Sequence, residues 1–208
     1  MKTNLIILVG EQGCGKTTLA NHMTKIDKYD KYITCTTRPP REGEINGVDY
    51  VFLTKEGFEK RRSLCEFIEY KKYRGWYYGT PNPFCATPFH FNDTDQVLIL
   101  TPKGVDDFTF WLKDNNYTNR FNVYIFYLDV NFKARYNKTM ETRDDKHEVK
   151  RRAFHDYLDF LYFKHKAKNN GLINGYNINV LSNPDYIFDQ SVLTRQIEDA
   201  ILSTNRNI

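Results

Sequence analysis

Apolar positions along the chain gather first into a short unbroken run, Leu5-Ile6-Ile7-Leu8-Val9, rich in β-branched residues. That is the pattern of a strand covered on both faces. Glycines between Gly10 and Gly15 break the run. Beyond Lys16, the residues Leu19, Ala20, Met23 and Ile26 recur at helical spacing, so that one helix face can lie back on the strand. Strand, loop and helix in this order predict a parallel sheet wound with helices. Val97-Leu98-Ile99-Leu100 followed by a helix over 105–113, and a further strand over 123–128, extend the same plan. The helical pattern resumes at Phe132 and is interrupted by charges from Arg143 to Lys150. It continues with an expected apolar stripe of Val149, Ala153, Tyr157 and Leu161, flanked by Phe154 and Leu158. Asn169-Asn170-Gly171 stops that helix. Near the carboxyl end either 178–181 or 185–188 supplies a last strand, ahead of an amphipathic helix through Val192, Ile197, Ala200 and Ile201.

Between 34 and about 91 the texture differs. Thr36-Thr37-Arg38-Pro39-Pro40-Arg41-Glu42-Gly43 is polar and turn-rich, and its two prolines exclude a regular element. Short alternating segments follow around 49–53, 67–71 and 76–78, and Pro81, Pro83 and Pro88 close the stretch. An insertion carrying its own small sheet accounts for this better than another strand–helix unit.

Composition narrows the setting. A chain of 208 residues accommodates one core domain with an insertion, and its 40% hydrophobic and 27% charged residues are those of an ordinary globular protein. The net charge of +4 suits a small anionic ligand and is too mild for a nucleic-acid binder. Cys14, Cys35, Cys65 and Cys85 form no CxxC pair, which argues against zinc and against a disulfide framework and fits a reducing cytoplasm. The run from Leu5 to Val9 is too short to cross a bilayer and lacks a signal-peptide cleavage pattern, so no membrane association is expected.

Gly10-Glu11-Gln12-Gly13-Cys14-Gly15-Lys16-Thr17 satisfies G-x-x-x-x-G-K-S/T in full, after a strand and before a helix. Glycines let the backbone curl so that successive N–H groups converge on phosphate oxygens, and the helix N-terminus adds partial positive charge. Lys16 supplies a mobile cation for the β- and γ-phosphates. Thr17 supplies a hard oxygen for Mg²⁺, and the residues expected to bind ATP run from Gly10 to Thr18. Cys14 reads as a small residue filling its slot. A nucleotide triphosphate is therefore the first expected ligand.

The second substrate is read from Thr36 to Phe52, where Arg38 and Arg41 stand on a proline turn ahead of a glycine-rich bend and Tyr50. Guanidinium forks match a phosphate dianion, and a phenol adds a neutral donor. With the phosphate loop, with Glu66-Phe67-Ile68-Glu69-Tyr70 and with Tyr77-Tyr78-Gly79-Thr80, this segment resembles the guanylate kinase family over roughly the first hundred residues, and more loosely beyond. The resemblance implies an α/β fold in three parts: a P-loop core with a parallel sheet, an inserted mixed-sheet domain binding a nucleoside monophosphate, and a short lid. On this chain they correspond to core at 1–33, 92–137 and 153–208, insertion at 34–91 and lid at 138–152. The implied reaction moves the γ-phosphoryl of ATP to GMP or dGMP, with Mg²⁺. Arg38, Arg41, Tyr50 and Tyr78 match the family's ligands for the monophosphate, with Thr34 near another hydroxyl position. Glu69 matches the carboxylate that reads guanine, and Thr80 the hydroxyl beside it. An ionised carboxylate accepts from N1–H and N2–H of guanine, whereas adenine would leave it unpaired.

Two departures stand out. Family members usually carry aspartates where this chain, aligned on Gly104, has Ile99 and Thr101. Thr101 can still touch a base or sugar, but the choice of base is left open, and a deoxynucleotide kinase of altered or broader range is the alternative. The lid is short: Arg143 and Arg152, with Arg151 in place of Arg152 if the register differs by one, resemble the arginines that close over the phosphates. A noncatalytic binding module of the same fold typically lacks an intact phosphate loop, and a P-loop kinase for a phosphorylated sugar would not need the segment from Glu69 to Thr80. Monomer and homodimer are both compatible with the sequence.

Overall fold

The structure, a computed structural model, describes residues 2–73, 75–84, 94–142, 146–182 and 189–206. Strand β1 (Thr3–Val9) runs into the glycine loop, and helix α1 (Lys16–Met23) returns to strand β2 (Tyr29–Lys31). The insertion follows: β3 (Cys35–Thr36), β4 (Val51–Phe52), α2 (Lys55–Ser63), β5 (Phe67–Tyr73) and β6 (Trp76–Pro81). The chain then re-enters the core through β7 (Asp95–Ile99), α3 (Pro102–Asp114), β8 (Phe121–Asp129), α4 (Phe132–Thr142) and α5 (Lys146–Lys168). A hairpin of β9 (Leu172–Ile173) and β10 (Tyr176–Ser182) precedes α6 (Gln190–Arg206).

In space the core sheet is ordered β2-β7-β1-β8-β10-β9, parallel throughout except for the antiparallel β9–β10 hairpin. The central position of β1 explains its composition. Leu5, Ile7 and Val9 point into one cluster with Val105, Phe108, Phe160 and Phe163, from α3 and α5. Ile6 and Leu8 point into the other with Leu19, Met23, Ile197 and Ile201, from α1 and α6. Both faces are dry, so every position must be apolar and alternation disappears. Because β1 ends between two parallel neighbours, the glycine loop emerges at the carboxyl edge of the sheet, where open α/β sheets leave room for a ligand. No described helix is long and apolar enough to cross a membrane.

The insertion forms a four-stranded sheet of order β4-β3-β6-β5, as expected for a segment with its own core. Helix α2 has no counterpart in the sequence reading, because Phe58 is its one buried residue and no apolar period exists to be seen. Its start is nevertheless marked: the Thr54 hydroxyl accepts from the Gly57 N–H at 3.0 Å, an N-cap. The Phe58 ring lies stacked between Phe67 and Tyr77, with centroids 4.4 and 5.2 Å away. Gly79 fits beneath this stack only without a side chain, since a Cβ there would stand 2.8 Å from Phe67 Cδ1 and 3.1 Å from Phe58 Cζ.

Several packing expectations change. On α5, Tyr157, Leu158 and Leu161 are more than half exposed, and among the described side chains the buried ones are Phe160, Phe163 and Ala167, with Val149 buried near the other end; the side chains of Ala153 and Phe154 lie outside the described ones. The expected stripe advanced four residues at a time. At about 3.6 residues per turn each such step drifts some 40°, so over three steps the row winds about 120° away from the core. Val192 is likewise exposed, with the neighbouring Leu193 buried in its stead, and Ile26 lies past the end of α1 in solvent. Of the two candidate last strands, β10 contains the first, and 185–188 lies outside the described residues. Helix α5 runs unbroken from Lys146 to Lys168, across the expected lid boundary at 152.

Gly79→Ala is expected to overpack the Phe58–Phe67 stack and lower stability by about 1–3 kcal/mol, read as a fall in the urea midpoint. An unchanged midpoint would mean that the aromatic stack gives way freely.

Candidate active site

The loop from Gly10 to Thr17 is held from behind. The Glu11 carboxylate is buried, paired with Arg135 at 3.2 Å and accepting from the Tyr127 hydroxyl at 2.8 Å. Burial, and then the Glu11 charge, push the Tyr127 phenol far above its ordinary range, so it stays a donor. Lys164 stands 3.9 Å from Glu11 and 3.4 Å from Asp129, which also pairs with Lys168 at 3.0 Å. Gly13 sits at φ +81°, and a Cβ there would meet Thr139 Oγ1 at 2.3 Å, so helix α4 approaches the loop as closely as glycine allows. Glu11 therefore offers the loop's ligand its backbone alone, while its side chain supports the loop.

The loop's front presents donors. The Gln12 N–H donates to an Asp156 carboxylate oxygen at 2.6 Å, so a carboxylate from α5 already rests on an amide of the kind that binds phosphate. Among the described residues neither polar atom of the Gln12 side-chain amide has a partner, although both are buried. Lys16 Nζ folds back onto the loop, donating to the carbonyls of Gly10 at 2.5 Å and Glu11 at 3.0 Å. Thr17 is exposed at the start of α1.

In the insertion, two threonines lock Arg38 to the strand that carries Tyr78. Thr36 Oγ1 donates to the Tyr77 carbonyl and accepts from the Arg38 N–H, at 3.0 and 3.1 Å. Thr37 Oγ1 accepts from the Tyr77 N–H at 2.8 Å. The Arg38 guanidinium is gripped by both oxygens of Glu44 at 2.8 Å, and Glu44 also accepts from the Arg41 N–H at 2.7 Å. The same guanidinium lies 5.6 Å from the Tyr50 ring centre, and Tyr50 meets Tyr78 edge to face. Burial, reinforced by Tyr78, raises the Tyr50 phenol against the pull of Arg38, which keeps it a hydrogen-bond donor.

Glu69 and Thr80 face each other across β5 and β6, with the Thr80 hydroxyl donating to the carboxylate at 2.6 Å. Burial pushes the Glu69 carboxyl up, and the Thr80 hydrogen bond and Lys71 pull it back toward ionisation. Thr101 caps helix α3, accepting from the Gly104 N–H at 3.2 Å, and it accepts from Lys71 Nζ at 2.9 Å.

A cavity of about 150 Å³ joins the two halves, walled by Thr17 from the phosphate loop, by Thr34, Arg41, Glu44 and Tyr50 from the insertion, and by Ile99 at the end of β7. Arg38, Glu69, Tyr78, Thr80 and Thr101 stand outside that lining. Arg143 lies outside the described residues, and Arg151 and Arg152 are described only as backbone of α5. Glu44, Lys71 and Arg135 were not singled out as site residues from sequence; Lys71 and Arg135 act through partners that spacing along the chain does not reveal. Glu44 had a local signal, since its carboxylate follows Arg38 and Arg41 on the same turn. Among the described residues no three His, Cys, Asp or Glu side chains gather as a metal site. A single hydroxyl, Thr17, at the cavity wall suits a cation held mostly by phosphate oxygens and water.

Residues 2–88 match the sequence-family model described as guanylate kinase. The guanylate kinase of Clostridium tetani is 43% identical over 102 residues, which are 49% of this chain and 43% of that protein. The guanylate kinase of Thermotoga maritima is 37% identical over 100 residues, 48% of this chain and 47% of that one. That of Bacillus subtilis is 44% identical over 79 residues, 37% and 39% of the two. The chain thus spans less than half the length of these relatives. The crystal structure of guanylate kinase from Anaplasma phagocytophilum superposes with a TM-score of 0.59 at 18% identity, covering 96% of this chain and 86% of that one. The family-model match lies within residues 2–88, and likeness in fold extends over nearly the whole chain.

Arg135→Met removes the counter-charge from a buried carboxylate and is expected to cost about 3–5 kcal/mol, seen in equilibrium denaturation. Adding Glu11→Gln should restore part of that loss, because the uncompensated charge is then gone. Strictly additive losses in the double variant would show that the pair does not act as a unit.

Proposed function

We propose that this chain transfers the γ-phosphoryl group of ATP to GMP or dGMP, giving ADP and the corresponding diphosphate. The observation that carries the reading is the cavity shared by Thr17 of the phosphate loop and by Thr34, Arg41 and Tyr50 of the insertion. It supports a molecule in which a triphosphate and a monophosphate meet end to end.

In this reading the triphosphate lies on the loop amides from Gly10 to Thr18, where it displaces the Asp156 carboxylate from the Gln12 N–H. Lys16 leaves the carbonyls of Gly10 and Glu11 and follows the γ-phosphoryl group. Thr17 would hold Mg²⁺ from the protein side, and the ion would supply charge neutralisation at the phosphates. Arg38, Arg41, Tyr50 and Tyr78 hold the acceptor phosphate. Glu44 fixes the Arg38 fork beforehand, so less side-chain freedom is lost on binding. An acceptor oxygen attacks phosphorus in line as the bond to the β–γ bridging oxygen breaks, and ADP carries away the released charge. Such a reaction needs positioning and cations more than covalent help. Arg143 and Arg152 are the candidates for the cations delivered by the lid at 138–152. Closure of that lid and of the insertion at 34–91 keeps water from the phosphoryl group. Glu69, ionised and oriented by Thr80, accepts from the guanine N1–H and N2–H.

A second reading, a deoxynucleotide kinase of different base choice, draws support from Ile99, which puts an apolar wall at the cavity where a carboxylate is usual in the family. A coupled assay of ADP release across the ribo- and deoxyribonucleoside monophosphates separates the two: turnover of guanine nucleotides alone is expected, and pyrimidine turnover would favour the second. Lys16→Ala should lower turnover by roughly 100-fold or more, by analogy with loss of a transition-state donor, while leaving the unfolding temperature unchanged. Near wild-type turnover in that variant would overturn the assignment.

A further inference from the structure

We propose that Lys71 is a second base-reading residue, whose ammonium donates to the carbonyl oxygen at position 6 of the purine beside the Glu69 carboxylate. The inference rests on the kinase reading above and deepens it.

Lys71 follows Glu69 by two residues on β5, so both side chains leave the same face of the strand. That face is turned toward the core, for Lys71 Nζ reaches Thr101 at the start of α3. The lysine is half-buried. Burial pushes its ammonium below the ordinary lysine range, while Glu69, Asp159 and Asp156 act to keep it charged. Taking a lysine out of water and tying it to one neutral hydroxyl is a poor bargain unless the remaining donors find a use. Of the three N–H groups, Thr101 takes one; among the described residues no other hydrogen bond to Nζ occurs. The hydroxyl itself accepts from both Lys71 Nζ and the Gly104 N–H, so the threonine orients the ammonium and caps the helix.

The juxtaposition is chemically selective. Side by side, an acceptor and a charged donor match an edge that presents a carbonyl next to N–H groups. Guanine and hypoxanthine offer O6 beside N1–H. Adenine offers an amino group and a bare nitrogen, wrong at both positions. In the sequence, Thr101 stands where the resembling family has a carboxylate; here it acts on the base through Lys71.

The test compares GMP with 6-thio-GMP, which keeps N1–H and N2–H but exchanges O6 for a weakly accepting sulfur. Wild-type protein should prefer GMP in kcat/KM. Lys71→Met should raise KM for GMP by roughly 10- to 100-fold, the span of a charged hydrogen bond, leave KM for ATP unchanged, and bring the ratio of GMP to 6-thio-GMP close to one. Lys71→Arg, which keeps a charged donor, should restore part of the ratio, and Lys71→Gln serves if the methionine variant does not fold. The proposal is overturned if wild-type protein shows no preference for GMP, or if the variants lose both substrates in equal proportion, the mark of a purely structural lysine. If no monophosphate is phosphorylated at all, the kinase reading fails instead. Calorimetric binding of GMP and 6-thio-GMP to wild type and Lys71→Met then decides the role of Lys71 by the same ratio.

Discussion

A loop that gives its backbone amides to a ligand cannot use them to hold itself together, so its shape has to be imposed from outside. In this chain the imposition is the buried pairing of Glu11 with Arg135, completed by the Tyr127 hydroxyl. One loop side chain points away from the ligand face and is fixed by residues more than a hundred positions later. The charge is worth burying only because both partners are present, since an unpaired carboxylate in the same place would destabilise the fold. The close contact of Gly13 with Thr139 and Arg135 adds a steric wall to the electrostatic one.

This support reaches the loop from two successive helices. Arg135 and Thr139 belong to α4, Asp156 and Lys164 to α5, and the two helices flank residues 143–145. The Asp156 carboxylate holds the Gln12 amide, which ties the loop to the position of α5. The insertion follows the same logic on a smaller scale. Thr36 and Thr37 bind the arginine turn to β6, and Glu44 holds the guanidinium in place. The arginine turn is thus ordered by folding rather than left free in solvent.

Polar groups between the two sheets are arranged as a relay. Helix α3 needs a cap, Thr101 supplies it, and the same oxygen steadies Lys71 beside Glu69. Ile99, two residues earlier at the end of β7, gives the cavity an apolar wall. Position 101 therefore connects the core sheet to the insertion even though a carboxylate is absent there.

Much of this was legible in the chain itself. The run from Leu5 to Val9 read as a strand buried on both faces, which it is, and the glycines after it read as a tight loop ahead of a helix, because strand period and backbone permissiveness are local properties. The proline turn carrying Arg38 and Arg41 was readable for the same reason, whereas Thr80 was placed beside Glu69 only through the family resemblance, and the structure pairs the two on adjacent strands. Helix α2 was not legible, since one buried phenylalanine makes no period, and the buried face of α5 was misplaced because a ladder of fours winds around the helix. Which distant side chains meet was decided by tertiary structure alone: Glu11 with Arg135, Gln12 with Asp156, Lys71 with Thr101. Sequence determines the preferences of a segment through its own dihedral angles and apolar spacing, whereas a buried charge takes its partner from whichever element the packing of the sheet and its helices brings alongside.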